Sequence, residues 1–230
     1  MKYSNITAAT FISRPNRFVA IVEIDGEREE VHVKNTGRCE ELLIPGVTVY
    51  LVKSDNESRK TKYDLVAVER GEYGVINIDS QAPNSVVKEW LESGNSPFEG
   101  ITYIKPEYSY GGSRIDFYIE QGDVKTLIEV KGCTLVKNGL GFFPDAPTDR
   151  GVKHLHELRD AVLEGEHKAA LVFLIQVNNI HYVFPNRETQ PEFAEALKEA
   201  IKAGVKVIFL ASNVEPQTLE YSDYIMRQHL

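Results

Sequence analysis

A chain of 230 residues, 42% hydrophobic and 26% charged, has room for one large core or two ordinary ones and the balance of a globular protein. No apolar run reaches the roughly 18–20 residues that span a bilayer, so no membrane partner is expected; the longest run, over 169–177, reads as a buried strand. The net charge of −8 excludes a uniformly basic surface of the kind that attracts nucleic acid over long range.

The charge is uneven, with 11 basic against 13 acidic residues in 1–82 and 15 against 21 in 83–230. A nucleic-acid partner would need local cationic faces, and carboxylates gathered round a divalent cation would be neutralised in part. The first five residues show no charged segment leading into an apolar stretch, so no secretory signal is expected. Cys39 and Cys133 are far apart and lack zinc-ligand spacing. They read as free thiols of a reducing compartment, and the cytoplasm is the expected location.

In chain order, residues 18–24 alternate and then break at Asp25-Gly26, a hairpin signal. Alternation resumes over 29–34, with Val31 and Val33 on one face. A Pro45-Gly46 turn precedes a strand over 47–52. A polar, basic stretch (53–62) leads to strands over 63–69 and 75–78. About five short strands at this spacing suggest a closed barrel of OB-like type, with a two-sheet sandwich as the alternative.

Near Gln81 the pattern changes. Ser85 is placed to cap a helix over 86–92 that Gly94 ends. Strands are predicted over 101–104, 113–120 and 126–135, the last two joined by Gln121-Gly122-Asp123. A loop rich in Gly and Pro leads to a helix over 150–164 with Leu155, Leu158, Val162 and Leu163 as its apolar set. A strand over 169–177, a short strand over 181–184, a helix over 191–203 and a strand over 205–210 follow. The predicted class is α/β (α+β): an OB-like barrel over 1–82, then a mixed sheet flanked by helices over 83–230.

One constellation carries chemistry. Glu129 and Lys131 are two apart on one strand and so share a face, while Ile128 and Val130 point the other way. Asp116 occupies the corresponding place on the preceding strand. Two carboxylates suit a hard cation such as Mg²⁺ or Mn²⁺, and a lysine beside the metal-bound water can orient it or steady charge on a phosphate. The same trio can also arise as an ordinary cross-strand ion pair on a wet face. Two apolar neighbours argue for a central strand, where such charges need a reason. In the helix that follows, Arg150, Lys153 and His154 lie three and four apart, near an amino terminus that Thr148 or Asp149 can cap.

With these residues in place the chain resembles the sugar fermentation stimulation protein A family. The segments that carry the likeness are PNRF at 15–18, HVKNTGR at 32–38, PG at 45–46, KTKYDLV at 60–66, GSRIDF at 112–117, IEVKGCTL at 128–135 and FPDAPTDRGVKHL at 143–155. They fall in the family's order over nearly the whole chain. The resemblance implies an amino-terminal OB-like domain and a carboxyl-terminal domain of the PD-(D/E)xK nuclease superfamily. It carries two functional descriptions. One is a DNA/RNA nuclease of weak sequence preference; the other is a nonspecific DNA-binding regulator of sugar metabolism that does not cut. Hydrolysis of small phosphoesters is a third reading.

Carried over by residue, Asp116, Glu129 and Lys131 match the catalytic set. Asp116, Glu129 and the main-chain carbonyl of Val130 match the ligands of Mg²⁺ or Mn²⁺. Glu89 is a loose match to a helix glutamate, and Ile115 stands where the superfamily's proline would be. The expected nucleic-acid contacts are Arg17, Arg38, Lys60, Lys62, Tyr63, Arg114, Arg150, Lys153 and His154, with DNA or RNA as partner. Arg14, Asn16, His32, Asn35 and Arg59 accompany them near strand ends, and Phe18 is expected in the core. Pairing into a homodimer is common in the superfamily.

Overall fold

The computed structural model describes residues 1–227 apart from Thr36 and Glu57. In the amino-terminal part, β1 (Ile6–Asn16), β2 (Val19–Ile24), β3 (Glu27–Val33), β4 (Thr48–Lys53), β5 (Tyr63–Glu69) and β6 (Val75–Asn77) form one sheet in the order β3-β2-β1-β4-β5-β6. It closes on itself where β3 runs parallel to β5, through His32↔Asp64 and Val33↔Leu65. The result is a closed five-stranded barrel, as expected, and not an open sandwich. Closure leaves no free edge among the five strands. Phe11, Val22, Val31, Leu51, Leu65 and Val68 fill it. The Asp25-Gly26 hairpin forms as predicted, both residues having positive φ (50° and 85°).

Strand β1 was not anticipated. Its sequence is rich in Thr, Ala and Ser, and only Ala9 and Phe11 are buried, so its alternation is faint. It nevertheless pairs on both sides, with β2 and β4.

The remaining chain forms a six-stranded mixed sheet in the order β15-β14-β12-β9-β8-β7. Its strands are β7 (Tyr103–Tyr110), β8 (Ser113–Gln121), β9 (Val124–Cys133), β12 (Lys168–Ile175), β14 (Lys206–Glu215) and β15 (Thr218–Arg227). Strands β9, β12 and β14 are parallel at the centre, and the others add antiparallel at the edges. Helix α1 (Ala82–Glu92) covers one face, packing Val86, Val87 and Trp90 on Ile128, Val130 and Val172. Helices α2 (Asp149–Glu164) and α3 (Pro191–Ala203) cover the other, setting Leu155, Leu158 and Phe193 against Leu127, Leu171 and Phe173. A small sheet of β10 (Leu135–Lys137), β11 (Leu140–Phe143) and β13 (Val183–Pro185) lies beside them.

Several boundaries differ from expectation. Helix α1 starts at Ala82, not after Ser85, because Pro83 in its first turn needs no N–H and already has helical φ. Leu163, counted with the apolar face of α2, is exposed, being rotated away from the Leu155–Leu158 stripe. Residues 136–143, read as loop, fall in the β10–β11 hairpin, and β15 adds an edge strand whose polar side chains gave little signal.

A buried polar network joins the barrel to the sheet. Asn77 N–H donates to the Gln176 carbonyl (3.1 Å), and Gln176 Nε2 donates to Asn77 Oδ1 (2.9 Å) and the Asp79 carbonyl (3.2 Å). Lys34 Nζ and the Tyr3 hydroxyl meet Asp79 Oδ2 at 2.9 and 3.1 Å. Burial, reinforced by Asp79, pushes the Tyr3 phenol pKa up. A Cβ at Gly132 would lie 2.2 Å from Gln176 Oε1 and 2.9 Å from Pro83 Cγ, so only glycine lets β9 pass beneath this network. No helix among the described residues is long and apolar enough to cross a membrane.

Candidate active site

The β8–β9 ladder runs from Gln121↔Val124 to Phe117↔Ile128. The next facing pair would be Asp116 and Glu129, and the ladder stops there. Asp116 Oδ2 instead accepts the Val130 N–H (2.8 Å), and its Oδ1 accepts from Asn84 Nδ2 on α1 (2.8 Å). The aspartate therefore bridges a main-chain group and the first turn of a helix, which fixes its rotamer.

Glu129 is 2% exposed and faces α2. Its Oε1 accepts from Lys131 Nζ (2.5 Å) and is hydrogen-bonded to His154 Nδ1. Arg150 Nε donates to His154 Nε2 (3.3 Å), which leaves the ring proton on Nδ1, directed at the glutamate. Glu129 Oε2 is buried and has no protein partner. A carboxylate oxygen withdrawn from water without a donor is costly and rare, and a cation is the partner that suits it.

The two acids differ electrostatically. Burial, then the neighbouring Glu129 charge, raises the Asp116 pKa. For Glu129, burial also acts upward, but the Lys131 ammonium and His154 prevail and hold its pKa down. Asp116 and Glu129 offer only hard oxygen donors, the set preferred by Mg²⁺ and Mn²⁺. Among the described residues no cluster of three or more His, Cys, Asp or Glu side chains is arranged to hold a metal. Main-chain oxygen and water would have to complete any coordination shell.

Of the other expected residues, some converge here and some do not. Arg17 of the barrel and Arg150 of α2 line one cleft of about 490 Å³ between the two parts, whose lining includes Gly132 but not Asp116, Glu129 or Lys131. Arg38 joins Arg17 along an adjoining groove of about 290 Å³. Lys153 is exposed, close to the Gly112 carbonyl (3.0 Å) and Glu157 (3.6 Å), and Arg114 pairs with Glu107 (3.3 Å). Lys60 is exposed, Lys62 pairs with Glu29 (3.5 Å), and Tyr63 packs half-buried on the barrel core; none of the three lines the cleft. His154, expected on the exposed helix face, is instead buried against Glu129, because α2 rolls that side onto the sheet.

Phe18, expected in the core, is 49% exposed, with the Arg17 guanidinium 5.3 Å from its ring centroid. Glu89 lies on the outside of α1, bonded to the Met1 amino group (2.8 Å). Asn84 is the α1 residue that reaches the site, and it had no signal beyond its place near a helix start. His32 and Arg59 are taken up by Asp64 (2.9 and 2.8 Å). Arg14 is structural: its guanidinium donates to the carbonyls of Arg17, Asn35 and Arg38 (2.7, 2.7 and 2.5 Å). Thr36, part of the expected turn at 36–38, lies outside the described residues. Both cysteines are free and buried, and burial pushes each thiol up to about 12.

A family model described as the sugar fermentation stimulation protein RE domain matches residues 81–218, and the SfsA N-terminal OB domain matches residues 12–78. The chain belongs to the sugar fermentation stimulation protein family. The family's homolog in Desulfitobacterium hafniense is 53% identical over 225 residues, 98% of this chain and 97% of that protein. The Ruminiclostridium cellulolyticum homolog is 53% identical over 220 residues, 96% of each. A solved structure of Pyrococcus furiosus SfsA in complex with Ca²⁺ superposes with a TM-score of 0.89 at 31% identity, covering 98% of this chain and 96% of that one. The barrel followed by a mixed, helix-flanked sheet is thus the architecture of this family.

Proposed function

We propose that this member of the family binds nucleic acid and cleaves its phosphodiester bonds with Mg²⁺ or Mn²⁺. The observation that carries the reading is Glu129 Oε2, a buried carboxylate oxygen without a donor, set next to Asp116 while Lys131 and His154 occupy the other oxygen. Glu41 and Glu157 also keep a buried oxygen without a donor; Glu129 differs in sharing its surroundings with the Asp116 carboxylate and the Lys131 ammonium. The Pyrococcus relative was solved in complex with Ca²⁺, which supports divalent-cation binding by this protein.

In this reading Asp116, Glu129 Oε2 and the Val130 carbonyl hold the metal, which, when bound, polarises the phosphate and lowers the pKa of a bound water. Asn84 and the Val130 N–H keep Asp116 in one rotamer. Lys131 directs its remaining N–H groups to the attacking water or a phosphate oxygen. Arg150 stands at the cleft mouth, where it can pair with phosphate while its Nε steadies His154. Arg17 and Arg38 supply further positive charge from the barrel, and the exposed Lys153 and Arg114 supply more from the second part. Nothing in this set reads base edges, so sequence preference is weak.

The test is incubation of labelled DNA and RNA with Mn²⁺, comparing wild type with Asp116→Ala and Lys131→Ala. Cleavage by wild type that falls at least a hundredfold in both variants supports the reading. Binding without cleavage in all three proteins would instead favour a DNA-binding regulator, and cleavage unchanged in the variants would mark a contaminant.

A further inference from the structure

The cleft between barrel and sheet is a preformed groove with one wall from each part. On the barrel side, the Arg14 guanidinium ties together the carbonyls of Arg17, Asn35 and Arg38, so the turn carrying Arg17 and Phe18 and the loop carrying Arg38 are held as one unit. On the opposite side, Asp145 lies in the segment leading into α2 and Arg150. Its carboxylate accepts from the Arg38 main chain, and burial keeps its pKa raised. A Cβ at Gly37 would stand 2.5 Å from Asp145 Oδ2, so the two walls meet there with no room for a side chain. Together with the Asn77–Gln176 and Asp79–Lys34 contacts, these links tie the two walls to each other.

Next to Arg17, which lines the cleft, Phe18 presents an exposed phenyl ring with the Arg17 guanidinium over it. An exposed aromatic next to a guanidinium is a platform for an unstacked base, which paired bases inside a duplex cannot use. Glu129 is recessed, 2% exposed, and lies outside the lining of this cleft. Asp149 also lines the cleft, so positive charge alone does not explain it, and a stacking contact would carry part of the affinity.

We infer that the interdomain cleft is a binding site for unpaired nucleic acid, with Phe18 as a base-stacking platform and Arg17 and Arg150 as phosphate contacts on opposite walls. This rests on the proposed function for its catalytic consequence but not for binding. The experiment therefore has two arms. In the first, fluorescence anisotropy in EDTA compares one labelled oligonucleotide as a single strand, as a blunt duplex and as a duplex with a single-stranded overhang. Wild type should bind the single strand and the overhang at least tenfold more tightly than the blunt duplex. Phe18→Ala should weaken single-strand binding about tenfold, the effect of losing one stacked base, while Phe18→Tyr, which keeps a ring, should stay within about twofold of wild type. Equal affinity for blunt duplex and single strand, or indifference to Phe18→Ala, would overturn the inference. In the second arm Mn²⁺ is added, and cleavage confined to single-stranded segments is expected; efficient internal cutting of blunt duplex would also overturn it. Failure to cut anything would count against the proposed catalysis alone, since the binding arm stands by itself.

Discussion

His154 Nδ1 is hydrogen-bonded to Glu129 Oε1, and both side chains are almost wholly buried. With Lys131 on the same oxygen, the imidazole fixes the carboxylate so that its second oxygen is the one left open. His154 is thus a positioning residue that acts through Glu129. A metal-binding carboxylate commonly depends on such an outer partner. His154→Ala should weaken Mn²⁺ binding, measured by calorimetry, about 10–100-fold. His154→Gln, which can still donate to Glu129, should recover a good part of that loss. Equal, unchanged metal affinity in both variants would show that the imidazole only packs.

Ion binding should also be visible as stability. A ligand at a hundred times its dissociation constant stabilises the native state by about 2.7 kcal/mol, so saturating Mn²⁺ should raise the melting temperature of wild type by several degrees. Glu129→Gln and Asp116→Asn should each abolish most of that rise. If the two variants respond to Mn²⁺ as wild type does, the cation binds elsewhere.

Asp64 gives the barrel an acid-sensitive joint. Burial acts to raise its pKa, but hydrogen bonds from Arg59 and His32 outweigh it, and the net shift is downward. A carboxyl depressed in the folded state stabilises the protein above its unfolded pKa, about 3.9, and loses that contribution as pH falls through the folded value. Asp64→Asn should therefore be less stable than wild type at pH 7 in urea titrations. The gap should narrow below about pH 4. A gap that is constant across this range would mean that the ionised form makes no difference.

Gly132 passes beneath Gln176 and Pro83 with no space for a methyl group. Gly132→Ala should destabilise the protein by about 1–3 kcal/mol, the usual cost of overpacking. Gln176→Ala, made in the same background, should relieve part of the strain. A double mutant no more stable than the additive expectation would place the clash against Pro83 alone.

Much of the candidate site's geometry was legible in the sequence. The two-residue spacing of Glu129 and Lys131 put them on one face, and the neighbouring Ile128 and Val130 marked a strand buried on the other. Helix α3 took its expected bounds because Pro191 and Gly204 punctuate it. What was not legible involved partners from distant segments. Nothing local distinguishes Asn84 from any polar residue of a first helical turn, yet it meets Asp116. The spacing of Arg150, Lys153 and His154 gave a common helix face but not which part of that face would be buried.

Sequence by itself determined the alternations, the Asp25-Gly26 hairpin, the helix stops and the acid–lysine trio, because period and turn chemistry are properties of neighbouring residues. The fold alone decided that β1 would pair on both sides, that β3 would close on β5, that His154 would turn inward and that Phe18 would stay outside. Those outcomes depend on which surfaces meet across long separations. A weakly patterned strand such as β1 gains its place from two partners, and a histidine is either a surface cation or a carboxylate's support according to how a helix rolls on its sheet.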